Sequence, residues 1–249
     1  MSHWIIAGLW GLFSGSSLVV GSLIGYYIKL SPRKIAIIMG FGAGVLISAL
    51  SFELMEEAFK QSGLWASSFG FISGALIYFV ANFILEKLGA KHRKRSRQQP
   101  SEEENEGSGL AIAMGALLDG IPESMAIGIS MLGGGTISLA TVIAIFISNL
   151  PEGLSSSSGM KNAGRSKKFI FGIWGGIAII SGIAAILGYT VFGQLSATIT
   201  GTTLAVAAGA ILNMVSATMI PEAFDKGHNL IGIVTVLGFL GSFLLSHLA

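Results

Sequence analysis

The sequence predicts an all-α membrane protein of eight transmembrane helices arranged as inverted repeats. Three observations predict it. Hydrophobic residues make up 52% of the 249-residue chain and charged residues only 11%, with a mean hydropathy of +0.74. A soluble domain carries about 25% charge. Eight stretches approach the ~20 apolar residues that a helix needs to cross the hydrocarbon core; they fall at 4–28, 34–57, 64–88, 109–131, 136–158, 169–192, 200–224 and 229–248. Lys and Arg gather in alternate connections between these stretches.

Taken in order, the first span begins at Met1-Ser2-His3-Trp4, which lacks the basic region of a secretory signal and reads as an uncleaved helix. The second carries the small-residue run Gly40-Phe41-Gly42-Ala43-Gly44 and ends in Leu54-Met55-Glu56-Glu57-Ala58-Phe59. After the third comes the long polar segment 89–108, basic from Lys91 to Arg97 and acidic at Glu102-Glu103-Glu104. Its composition predicts a flexible cytoplasmic loop within a single transmembrane domain, 1–249. The fourth and fifth spans carry Pro-Glu pairs, at Pro122-Glu123 and Pro151-Glu152. Between them, Gly133-Gly134-Gly135 reads as a turn, without the strand and lysine of a phosphate loop. The sixth span has no carboxylate. The seventh ends in Met219-Ile220-Pro221-Glu222-Ala223-Phe224, preceded by the small run Val206-Ala207-Ala208-Gly209-Ala210. The second and seventh spans run in opposite directions, so their similar endings predict an inverted repeat, a pattern characteristic of secondary transporters.

Charge sets the topology. Arg33 and Lys34, the 91–97 cluster, Lys161, Arg165, Lys167 and Lys168, and Lys226 occupy four connections on one side. The opposite side has Lys60 and little else. The positive-inside rule puts the basic loops in the cytoplasm and both termini outside. The chain has no cysteine, which excludes disulfides and thiolate metal sites.

Charged side chains at bilayer depth are costly, and they mark substrate or ion pathways. Asp119 and Glu123 are four apart and share one face of their helix. Ser148, Asn149 and Glu152 cluster on the next span, and Pro122 and Pro151 free backbone carbonyls beside them. Such oxygen clusters bind divalent cations. The Glu123 and Glu152 oxygens are expected to converge on one ion, with Asp119 and Asn149 in the same shell. The alternative is a carboxylate that stays protonated and only hydrogen-bonds a neighbouring helix. Glu53 reads equally as pathway mouth or surface, whereas Glu222, the inverted counterpart of Glu57, reads as functional. Glu56 reads as solvated. Ser155–Ser158 reads as close helix packing or as a polar exit lining. His3, His92, His228 and His247 all sit at ends or in loops and read as solvated rather than as ligands.

These residues resemble the ZIP (Zrt/Irt-like) family of divalent metal transporters. Pro122-Glu123 matches the family's His-Asn-x-Pro-Glu-Gly motif of the fourth helix, and Asn149 with Pro151-Glu152-Gly153 matches that of the fifth. Met219-Ile220-Pro221-Glu222-Ala223 is similar to the seventh-helix signature of the bacterial branch. The resemblance implies eight helices arranged three, two and three. It implies divalent ions carried into the cytoplasm, with Asp119, Glu123, Ser148, Asn149, Glu152, Glu222 and Glu53 as the candidate metal contacts. The chain departs from the family motifs at Asp119, Gly120 and Ser124, and it lacks the seventh-helix histidine. Oxygen donors in place of imidazole favour harder ions such as Mn²⁺, Mg²⁺ or Fe²⁺ over Zn²⁺, the family default. The missing histidines leave open a non-transporting or sensor-like member with a degenerate site. An enzyme is not expected, because Asp119 is the one clearly intramembrane aspartate and no histidine joins it. The expected setting is multi-pass in a prokaryotic cell membrane. The expected partners are metal ions and lipid; no cofactor or nucleic acid is expected, and a homodimer is allowed.

Overall fold

Four serines open helices. Ser2, Ser31, Ser166 and Ser196 each stand in extended backbone just before a helical run. Three of them accept from a backbone N–H that the helix leaves without a partner: Ser31 from Lys34 (3.4 Å), Ser166 from Phe169 (3.2 Å) and Ser196 from Ile199 (3.4 Å). The computed structural model describes residues 2–90, 93–94, 99, 101, 104, 108–133 and 139–248. His92, most of the 91–107 segment and the 134–138 turn lie outside the described residues.

The helices are α1 (His3–Tyr27), α2 (Pro32–Ala49), α3 (Met55–Leu85), α4 (Ser108–Ser130), α5 (Leu139–Asn162), α6 (Lys167–Phe192), α7 (Ala197–Met214), α8 (Ile220–Gly227) and α9 (Leu230–Leu248). A π-helical turn, Leu50–Leu54, joins α2 to α3, and a second, Val215–Met219, joins α7 to α8. Both turns immediately precede the paired sequences Met55-Glu56-Glu57 and Ile220-Pro221-Glu222. Gly63 interrupts α3 with φ 73° and ψ 176°. A side chain there would meet nothing, so the backbone conformation and not space requires glycine. The break falls between the predicted second and third spans.

Among the segments described throughout, six are long and apolar enough to cross a membrane: His3–Tyr27, Pro32–Ala90, Ser108–Ser130, Lys167–Phe192, Ala197–Gly227 and Leu230–Leu248. The fold is that of an all-α, multi-pass membrane protein. Pro32–Ala90 is 59 residues long and contains the Gly63 break, so it covers two of the predicted spans. The predicted fifth span is α5. Its polar Ser148, Asn149, Glu152 and Ser155–Ser157 are buried against protein, and a helix enclosed in this way does not need an apolar surface. The lipid-facing role falls to outer helices. Trp65, Phe69, Leu76 and Phe79 of α3, and Ile233, Val236 and Leu240 of α9, are exposed apolar side chains.

Glycine sets how closely the helices approach. Side chains added at Gly21 and Gly25 of α1 would strike the backbone of Leu150 and Leu154 on α5, and one at Gly153 would strike Leu18 in return. Reciprocal contacts of this kind recur between α2 and α9 (Gly44 on Thr235, Gly238 on Phe41). They recur again between α3 and α7 (Gly74 on Val206, Gly209 on Phe71) and between α4 and α6 (Gly128 on Ala185, Gly188 on Met125). Small residues let backbones meet where lipid supplies no hydrophobic drive for association. The α1–α5 contact flanks Pro151 and Glu152, so it sets their depth. We predict that Gly21→Val costs about 1–3 kcal/mol by overpacking. Gly172→Val, which enters open space, should leave thermal unfolding in detergent unchanged. Equal melting temperatures for the two variants would contradict the backbone-contact account.

Candidate metal centre

Pro122 lies inside α4 and Pro151 inside α5. Each removes an N–H, so the carbonyls of Leu118 and Ile147, four residues earlier, lose their helical donors. Gly42 of α2 packs beside the second kink, where an added Cβ would lie 3.1 Å from Ser148 Cα and 3.5 Å from the Pro151 ring. Acidic residues follow both kinks. Glu123 is 1% exposed, Ser148 2%, Asp119 3%, and Asn149 and Glu152 5% each. The five predicted residues on α4 and α5 are therefore all buried. Glu123 Oε2 is buried and has no hydrogen-bond partner. The Ser148 hydroxyl donates to the Ile145 carbonyl at 2.9 Å and keeps its lone pairs for other contacts.

Two cations from the polar segment enter this site. Arg93 and Lys94 lie in the segment read from composition as a flexible loop, and they are 3% and 1% exposed. Lys94 Nζ lies 3.2 Å from Asp119 Oδ2 and 3.0 Å from Glu152 Oε2, and so bridges α4 and α5. These are ion pairs without a well-directed hydrogen bond. Arg93 is held more firmly. Its Nη2 donates to Asp119 Oδ1 at 3.1 Å and to the Tyr78 hydroxyl at 2.9 Å, and its Nη1 donates to Asn82 Oδ1 at 2.8 Å. Tyr78 in turn donates to Asp119 Oδ1 at 2.5 Å. An uncompensated charge at this depth would cost several kcal/mol, so the pairing explains how Asp119 and Glu152 stay buried.

Backbone bonds seat the turn. Ser155 donates to the Lys94 carbonyl. Gln99 Nε2 donates to the carbonyls of Arg93 (2.7 Å) and Ser156 (3.1 Å). Gly115 of α4 makes room, since a Cβ there would collide with the Arg93 side chain. The serine run of α5 thus serves, at Ser155 and Ser156, as a dock.

Among the described residues no group of three or more acidic or histidine side chains is arranged to hold a metal ion. In this conformation the Asp119 and Glu152 carboxylates face Lys94 and Arg93. Glu53 sits on the first π turn and Glu222 in the first turn of α8, both half-buried. Tyr78, Asn82, Arg93, Lys94 and Gln99 were not anticipated as site residues. One signal was available: Tyr78, Asn82 and Glu86 recur every four residues, a polar stripe on an apolar span.

No protein-family model matches the chain. Curated relatives do. A protein of Arabidopsis thaliana named as a candidate zinc transporter is 27% identical over 226 residues, covering 88% of this chain and 34% of its own length. The zinc transporter ZupT of Streptococcus mutans is 28% identical over 171 residues, 65% of this chain and 54% of the relative. ZupT of Chlorobium chlorochromatii is 28% identical over 236 residues, 88% of this chain and 87% of the relative. The chain is thus similar in sequence to proteins named as zinc transporters. It spans about a third of the plant relative's length and about half of the streptococcal one's. The similarity covers 88% of the chain with two of the three.

Removal of the Arg93 guanidinium would leave Asp119 with only the Lys94 ion pair and the Tyr78 hydroxyl to compensate it. We predict that Arg93→Met destabilises the protein by about 3–5 kcal/mol and that Arg93→Met combined with Asp119→Leu recovers most of the loss. Thermal unfolding in detergent measures both. No recovery in the double variant would mean that the pair does not carry the stability.

Proposed function

We propose that this protein moves divalent metal cations across the membrane into the cytoplasm. Glu123 and Glu152 are the principal ligands, Asn149 and Ser148 supply neutral oxygens, and Asp119 is a further carboxylate. One observation carries the reading: Lys94 is held between Asp119 and Glu152, so the buried acids of α4 and α5 already form a position for a cation. Carboxylates in such a site recover their lost hydration through the ion. The freed carbonyls of Leu118 and Ile147 are available to complete its shell. The relatives named as zinc transporters support metal as the substrate. The oxygen-only donor set favours Mn²⁺, Fe²⁺ or Mg²⁺ beside Zn²⁺.

In this reading the chain makes eight crossings, divided at Gly63, with α5 enclosed at the centre. Two halves are related by inversion. The two π turns, each just ahead of a matched acidic sequence, support the repeat. So do Gly44 and Gly209, which precede their π turns by the same number of residues and each abut a neighbouring backbone. Both termini face outward and the basic connections face the cytoplasm. Glu53 and Glu222 lie toward opposite ends of the path. The two bacterial relatives support a prokaryotic cell membrane as its place.

The test is uptake into proteoliposomes. Glu152→Gln should abolish accumulation of Zn²⁺ and Mn²⁺ while the variant elutes as folded protein, and normal uptake would remove Glu152 from the path. Asp119→His should raise the Zn²⁺-to-Mn²⁺ uptake ratio, because imidazole nitrogen prefers the softer ion. A ratio that is unchanged or lower would show that Asp119 does not set selectivity.

A further inference from the structure

Arg93 and Lys94 are buried cations on a connecting segment, not on a helix of the bundle. Their two side chains are held differently. Arg93 is fixed by directed hydrogen bonds to Asp119, Tyr78 and Asn82. Lys94 reaches past it to Glu152 by ion-pair contact alone. The dock has three built features outside the carboxylates: Ser155 on the Lys94 carbonyl, Gln99 on the Arg93 and Ser156 carbonyls, and the lane left open by Gly115. These features seat the turn without themselves touching an ion.

We propose that the Arg93–Lys94 turn is a tethered competitor for the transported ion, with the Lys94 ammonium occupying the cation position between Asp119 and Glu152. The inference rests on the transport reading and assigns the regulation of that same site. An ammonium brings one charge and no vacant coordination position. A divalent ion brings two charges and takes several oxygens at once. The ion therefore binds Glu152 only after Lys94 has left. Its apparent affinity is reduced by the fraction of time the turn is docked. Arg93 stays on Asp119 as the anchor and keeps Lys94 at high effective concentration. Together they close the site from the side of the connecting segment and keep its acids compensated between ions.

The experiment compares Zn²⁺ uptake by full-length protein in proteoliposomes. Lys94→Gln removes the competing charge, and Gly115→Val fills the Arg93 lane without altering any charge. Both should lower the apparent KM for Zn²⁺ by about tenfold, the change expected when a docked fraction near nine-tenths is removed. Wild-type uptake that fails in Glu152→Gln, together with an unchanged or raised KM in Lys94→Gln and Gly115→Val, would overturn the competitor and leave the transport reading standing. No uptake by the wild type would end the transport reading, and the competitor with it. A second readout does not depend on these variants folding. The chain has no cysteine, so Ser101→Cys, on the same segment but not among the residues that hold the turn, is a unique label. Zn²⁺ should increase its labelling by an impermeant thiol reagent in detergent. Labelling that Zn²⁺ leaves unchanged, or reduces, would overturn the proposal.

Discussion

Three carboxylates buried in the centre of a membrane protein must be compensated, and that requirement organises the interior of this one. Asp119, Glu123 and Glu152 are buried on two helices that each carry an internal proline. An ionised carboxylate in a low-dielectric interior is stable only when a cation or several directed donors face it. Here the compensation of Asp119 and Glu152 comes from the chain's own Arg93 and Lys94, with Tyr78 adding a hydroxyl donor to Asp119, while Glu123 Oε2 has no hydrogen-bond partner. The same demand that lets a lysine enter the site is what would let a metal ion enter it. Structure and transport thus draw on one electrostatic deficit.

The helix packing serves that centre. The backbones of α1 and α5 meet through Gly21, Gly25 and Gly153, which puts Glu152 inside a wall of protein. The outer helices turn large apolar side chains outward, and the polar residues of α5 are enclosed. This inverts the arrangement of a soluble domain.

Much of this was legible in the sequence. Composition alone indicated an all-helical membrane chain, and the two Pro-Glu pairs pointed to the helices that hold the buried acids. The Asp119–Glu123 spacing placed both on one face, and both are buried. The docked turn was not legible. A run from Lys91 to Arg97 looks like a solvated loop, because nothing local to it shows that two of its members reach carboxylates on α4 and α5. That contact is long-range, and periodicity reports only the neighbourhood of a residue along its own helix. Gly115 illustrates the same limit. Its lack of a side chain reads as ordinary helix packing until Arg93 is seen lying against it. The polar stripe of Tyr78, Asn82 and Glu86 was the one signal within reach, since an apolar span gains nothing from buried polar groups unless they have partners.

The central claim is that the acids of α4 and α5 form a cation site, and locating an ion in the protein tests it most directly. Crystals grown with Mn²⁺ or Zn²⁺ would reveal the metal by anomalous scattering. The account predicts a peak between Glu123 and Glu152, within about 2.0–2.6 Å of their oxygens, with Lys94 displaced from Glu152. Metal bound only at surface histidines, with Lys94 still between Asp119 and Glu152, would contradict it.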